Sequence, residues 1–229
     1  MGLRLFTDET SWEQTRRDVR HARAALAATG DHANLANAMT KLLASWSSLD
    51  AERIEADDAL VDANALVRYW DSQLDELVAR LAARVIADHG KGSSEYLALF
   101  PEAPATIVRL GLESEIARVK KFDVVAKERK LSKGVQELLA QIGKVVTDGS
   151  KVLAARVTAA EGSARVALRV AAWKEDANAA RRSVAISLDK WALENGAGRD
   201  YSHAFFPAAK TSKKKPAVAT PSSPVNPPS

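Results

Sequence analysis

Eight prolines in 229 residues fall in three places, and they leave two stretches, 1–100 and 105–206, with none. Proline breaks helix interiors because it lacks an N–H and its ring clashes with the preceding turn. Two proline-free runs of about a hundred residues each therefore leave room for long helices. Strands avoid proline too, so the apolar spacing decides. Leu35, Met39, Leu42, Trp46 and Leu49 recur at steps of four and three. Leu60, Ala63, Val67, Trp70, Leu74, Leu77, Leu81 and Val85 carry the rhythm on, and Leu131, Val135, Leu138, Ile142, Val145, Val152 and Val157 repeat it, weakening near Gly149. That is the helical period, with charges between the apolar rows. The sequence predicts an all-α protein, an antiparallel helical bundle of long helices.

Termination signals give the boundaries. Ser11 with Gln14 three residues on has the capping-box spacing, and Gly30-Asp31 reads as a stop followed by a new N-cap. Helices are expected over about 12–29, 32–89, 106–130 and 132–195. An unbroken rod over 32–89 would measure about 87 Å. Ser47-Ser48-Leu49-Asp50 and Thr147-Asp148-Gly149-Ser150 are candidate breaks, because such side chains compete for backbone hydrogen bonds. With both breaks the chain has roughly six helices; without them, an elongated coiled-coil-like hairpin.

The two halves resemble each other. Gly90, Gly92, Tyr96, Phe100 and Pro101 follow the second helix, and Gly196, Gly198, Tyr201, Phe206 and Pro207 follow the fourth, in the same order. An internal duplication is expected, with a first helical repeat at 1–105 and a second at 106–207 packed on it as one domain. The motif reads as a helix terminator whose Tyr and Phe pin an irregular segment to the bundle; an exposed aromatic binding loop is the alternative.

Residues 208–229 are rich in Lys, Pro and Ser and read as a disordered tail. They hold Lys210, Lys213, Lys214 and Lys215 and no acidic residue, so the formal charge of +4 belongs to the tail and residues 1–207 balance. Two local charge fields remain. Asp50, Glu52, Glu55, Asp57, Asp58 and Asp62 stand against Arg53 alone, a surface for a basic partner. Arg118, Lys120, Lys121, Lys127, Arg129, Lys130 and Lys133 stand against two acids, and with Lys213, Lys214 and Lys215 they form a surface for an anionic partner.

Catalytic signals are few. There is no cysteine, which excludes disulfides, thiolate metal sites and thiol nucleophiles. His21, His32, His89 and His203 stand apart, without His-Glu-x-x-His or Glu-x-x-His spacing. The glycines follow helices, where a phosphate loop needs them after a strand. No cofactor and no metal are expected. The five tryptophans, Trp12, Trp46, Trp70, Trp173 and Trp191, read mostly as core. The N-terminus lacks a signal-peptide apolar core and no run reaches a membrane span, so a cytoplasmic location is expected.

These features favour a non-enzymatic protein-interaction or assembly role, through a protein partner or self-association. A weak salt-dependent association with nucleic acid is the alternative, followed by a helical-bundle enzyme using distant carboxylates and histidines.

Overall fold

The computed structural model of the chain describes residues 3–198 and 200–206. Seven α-helices run in order: α1 (Trp12–Ala28), α2 (Ala33–His89), α3 (Ser94–Leu99), α4 (Pro104–Ile107), α5 (Leu112–Val119), α6 (Phe122–Glu128) and α7 (Lys133–Glu194). Short 3₁₀ turns occupy Gly30–His32 and Tyr201–Phe205. The all-α architecture built on long helices is as the apolar spacing requires. Among the described residues no helix is long and apolar enough to cross a membrane.

Neither candidate break occurs. α2 is continuous for 57 residues and α7 for 62. In α7 the hydroxyls of the suspect segment turn inward on their own helix. Thr147 donates to the Gly143 carbonyl at 2.9 Å and Ser150 to the Val146 carbonyl at 2.6 Å. Such i−4 bonds leave the helical ladder intact. Asp50 in α2 binds Arg53 one turn on, at 3.2 Å, instead of capping anything. Gly149 is an approach point. A Cβ there would lie 3.2 Å from Ile116 Cδ1 and 3.4 Å from Leu112 Cδ1, so its missing side chain lets α5 pack against α7.

The helix expected over 106–130 is instead three short ones. Gly111, the residue before α5, sits at φ 75°, a conformation only glycine adopts easily. Gly30 is not a left-handed stop; the chain passes through the Gly30–His32 turn straight into α2. Ser11 does cap α1, accepting the Gln14 N–H at 3.2 Å, but the Gln14 side chain reaches forward to Asp18 at 2.5 Å, so the box is half made.

By spatial contact the chain divides into two compact units, to which α2 and α7 both contribute. One comprises the described parts of Met1–Leu43 and Lys174–Ser229, the other Ala44–Trp173. In the contiguous unit α2 and α7 run antiparallel. Trp173 Nε1 donates to Ser45 Oγ at 3.0 Å, Arg169 pairs with Glu52, and Ser132 donates to Asp88, so the partners recede along the chain toward the start of α7 as α2 advances. Ser132 also caps α7, accepting the Val135 N–H at 3.3 Å. The core joins Leu74, Val78, Leu81 and Val85 of α2 to Val135, Leu138 and Ile142 of α7, closed by α3, α5 and α6.

The discontiguous unit buries Val19, Ala22 and Leu26 of α1, Met39 of α2 and Ala177, Val184 and Leu188 of α7. One face of α7 clasps the N-terminal segment. Lys174 donates to the carbonyls of Thr7 at 3.0 Å and Thr10 at 2.8 Å, and Asn178 bonds the Phe6 peptide.

Candidate functional site

The acidic stretch lies along α2 in the contiguous unit. Asp50 and Glu52 are half-buried, while Glu55, Asp57, Asp58 and Asp62 are exposed. Arg53 bridges Asp50 and Asp57 within the helix, and Glu52 takes the guanidinium of Arg169 on α7. The basic cluster lies on α5, α6 and the start of α7. Its Arg118 pairs with Glu102, whereas Lys120, Lys121, Lys127, Arg129, Lys130 and Lys133 are exposed. Lys213, Lys214, Lys215, Pro207 and the tail at 208–229 lie outside the described residues.

The two glycine-aromatic segments share local geometry. Gly90 (φ 92°) and Gly196 (φ 67°) both end their long helices left-handed, whereas Gly92 and Gly198 do not take positive φ. Tyr96 and Phe100 are buried with ring centroids 5.5 Å apart. Tyr201 stacks on Trp191 at 5.1 Å and accepts or donates a 2.9 Å bond with His32 Nε2, and Phe206 is buried. These rings face the core.

A different feature marks the middle of the antiparallel pair. Between residues 51 and 72 of α2 only Ala63 is buried, and between 150 and 172 of α7 no residue is. Large apolar side chains are exposed there instead: Val61 at 64%, Tyr69 at 56%, Val157 at 58% and Leu168 at 72%, together with Ile54 and Leu66. Ile54 and Val61 are seven residues apart, Val157 and Leu168 eleven, so each pair shares a helix face. On α2 that face lies away from Ala63. The α2 row is interleaved with Glu55, Asp58 and Asp62. The α7 stretch carries Lys151, Arg156, Arg165 and Arg169 against Glu161 alone.

Each unit also holds buried charge that spacing alone does not reveal. In the discontiguous unit Arg181 is fully buried, its guanidinium 4.1 Å from the Phe6 ring centroid and 5.5 Å from that of Phe206. None of its three nitrogens has a hydrogen-bond partner. Burial lowers Arg181 to about 10, against the opposing pull of the Asp18 carboxylate on α1. In the contiguous unit Glu115 on α5 is fully buried, and neither of its oxygens has a donor. Asp71 and Asp75 of α2, one turn apart, each carry a buried oxygen in the same condition. Burial, then the charges of Asp75 and Asp71, push Glu115 up to about 8; burial also raises Asp75. Among the described residues no three such side chains are placed to hold a metal ion. The sequence did carry a signal: Glu115 interrupts the apolar row Leu112, Ile116, Val119, as Asp71 and Asp75 flank Leu74.

A groove of about 310 Å³ runs between α5–α6 and α7, lined by Val119, Lys120, Phe122, Asp123, Ile142 and Thr147. No protein-family model matches the chain, and no curated protein or solved structure is similar to it.

Proposed function

We propose that the chain is a non-enzymatic assembly protein that associates with a second copy of itself along the middle of the α2–α7 pair, an antiparallel coiled coil. The observation that carries this is the pair of exposed rows, Ile54, Val61 and Tyr69 on α2 and Val157 and Leu168 on α7, over a stretch where α2 buries one residue and α7 none. Rows of this kind gain free energy from being covered, about 25 cal/mol per Å² of apolar surface. Charge selects the occupant. The α2 row is acidic and the α7 stretch basic, so the α2 row of one copy is drawn to the α7 stretch of the other. Sedimentation velocity over a concentration series tests it. The wild type dimerises, more weakly at high salt, and Val61→Asn with Leu168→Asn gives a monomer of unchanged helicity. A wild type that stays monomeric at every concentration rejects the reading.

The same reading includes an internal duplication. Thr15, Asp18, Val19 and Ala22 open the buried row of α1, which continues to Leu26, and Leu112, Glu115, Ile116 and Val119 form that of α5 with the spacing of those first four and an acid second in each. Aligning Gly90 with Gly196 places Asp75 opposite Arg181. A duplicated helical hairpin accounts for both correspondences and for the repeated glycine-aromatic segments.

A second reading, salt-dependent association with nucleic acid, is favoured by the exposure of Lys120, Lys121, Lys127, Arg129 and Lys130. Charge reversal at Lys120, Lys121 and Lys130 would then abolish binding to duplex DNA or RNA at low salt, and absence of binding by the wild type removes it.

A further inference from the structure

The two buried loci differ in one respect: beside Asp18 stands Arg181, whereas beside Glu115 stand only acids. We infer that Glu115 and Asp75 share a proton near neutral pH, so that the contact of α5 with α2 is held by a proton where the other unit uses an arginine.

The geometry supports this as follows. Glu115 and Asp75 lie within hydrogen-bonding reach of each other. Two ionised carboxylates at that range repel, and the pair lowers its energy by keeping one proton between them. The surroundings supply no substitute charge. On α2 the groups acting on Glu115 are Asp75 and Asp71, both acidic. α7 presents Gly149 to this part of α5, and its adjacent Asp148 and Lys151 bind each other at 2.8 Å. On α5 itself Arg118 is engaged by Glu102, and Glu113 is exposed. Both Glu115 oxygens lack a donor, so the proton that joins it to Asp75 must come from the acids themselves.

The direction of the pH effect follows. Glu115, at about 8 in the folded chain, keeps a proton that the unfolded chain releases near the ordinary glutamate value. Stability is therefore full at acidic pH, falls as pH rises, and is lost through the folded-state value. Emptying the site leaves a buried unpaired charge between α5 and α2 and loosens α5.

Thermal unfolding of the full chain from about pH 5 to about pH 9 tests this against Glu115→Gln, whose amide supplies a donor without a titrating proton. The wild-type Tm falls across the range, and the variant removes most of that fall and exceeds the wild type at the alkaline end. Parallel decline of both proteins overturns the inference. Should the variant fail to fold, infrared spectroscopy of the wild type decides: the C=O stretch of a protonated carboxyl persists at neutral pH and disappears on alkaline titration. Absence of that band at neutral pH overturns the inference, as does a stoichiometric metal ion in the purified protein that Asp75→Asn removes.

Discussion

Asn178 on α7 grips the Phe6 peptide from both sides: its Oδ1 accepts the Phe6 N–H at 2.8 Å, and its Nδ2 donates to the Phe6 carbonyl at 2.9 Å. Both bonds are buried and bridge 172 positions of sequence. They fix the ring that lies beside Arg181, and Lys174 one turn earlier holds the carbonyls that follow. The extended N-terminal segment is thus fastened by a ladder on one helix face.

Asn178→Ala leaves the Phe6 N–H and C=O without those partners, which costs about 2–6 kcal/mol at about 1–3 kcal/mol for each bond lost. Denaturant unfolding measures the loss, and faster hydrogen exchange at the Phe6 amide localises it. Unchanged exchange there contradicts the ladder.

Asp18 and Arg181 form a thermodynamic cycle. Arg181→Met removes the cation and leaves Asp18 buried without its charge partner, and Asp18→Asn leaves the converse. Each single change is destabilising, while the double change recovers part of the loss, with a coupling of about 1–3 kcal/mol. Additive single effects would show that the two charges do not sense each other.

The glycines of α7 separate by what surrounds them. Gly149→Val drives branched methyls toward Ile116 and Leu112 and costs about 1–3 kcal/mol. Gly143→Ala and Gly162→Ala meet nothing within 4 Å and each stabilises by about 0.5–1 kcal/mol, the helical advantage of alanine. Chemical denaturation of the three variants reads the opposite signs directly.

The rows from Leu35 to Val85 and from Leu131 to Val152 made the long helices legible, because burying one stripe dictates a local spacing. Breaks were harder to read. Ser47, Thr147 and Ser150 carry the chemistry of caps, and only the carbonyl four residues back decides whether a hydroxyl ends a helix or rides on it. Gly149 reads as a flaw in the row until its neighbours Leu112 and Ile116, more than 30 residues earlier, give its small size a purpose. The buried charges were hidden for the same reason. Glu115 is visible as an acid in an apolar row, but that Asp75 acts on it, and that Asp18 lies in the field of Arg181, depends on pairings between distant helices. The exposed middle of α2 and α7 is not legible either, since Val157 continues the apolar row whether or not anything covers it and Val61 lies off the row on the opposite face.

The division of the chain has a consequence for its birth on the ribosome. Ala44–Trp173 is one uninterrupted run, so everything that unit requires has been translated before Lys174 is added. The other unit is built from segments on either side of that run. Val19, Leu26 and Met39 are translated before that run and wait for Ala177, Val184 and Leu188, which are translated after it. Throughout elongation α1 is a nascent segment without its late-arriving counterpart, and it is there that a chaperone would find purchase.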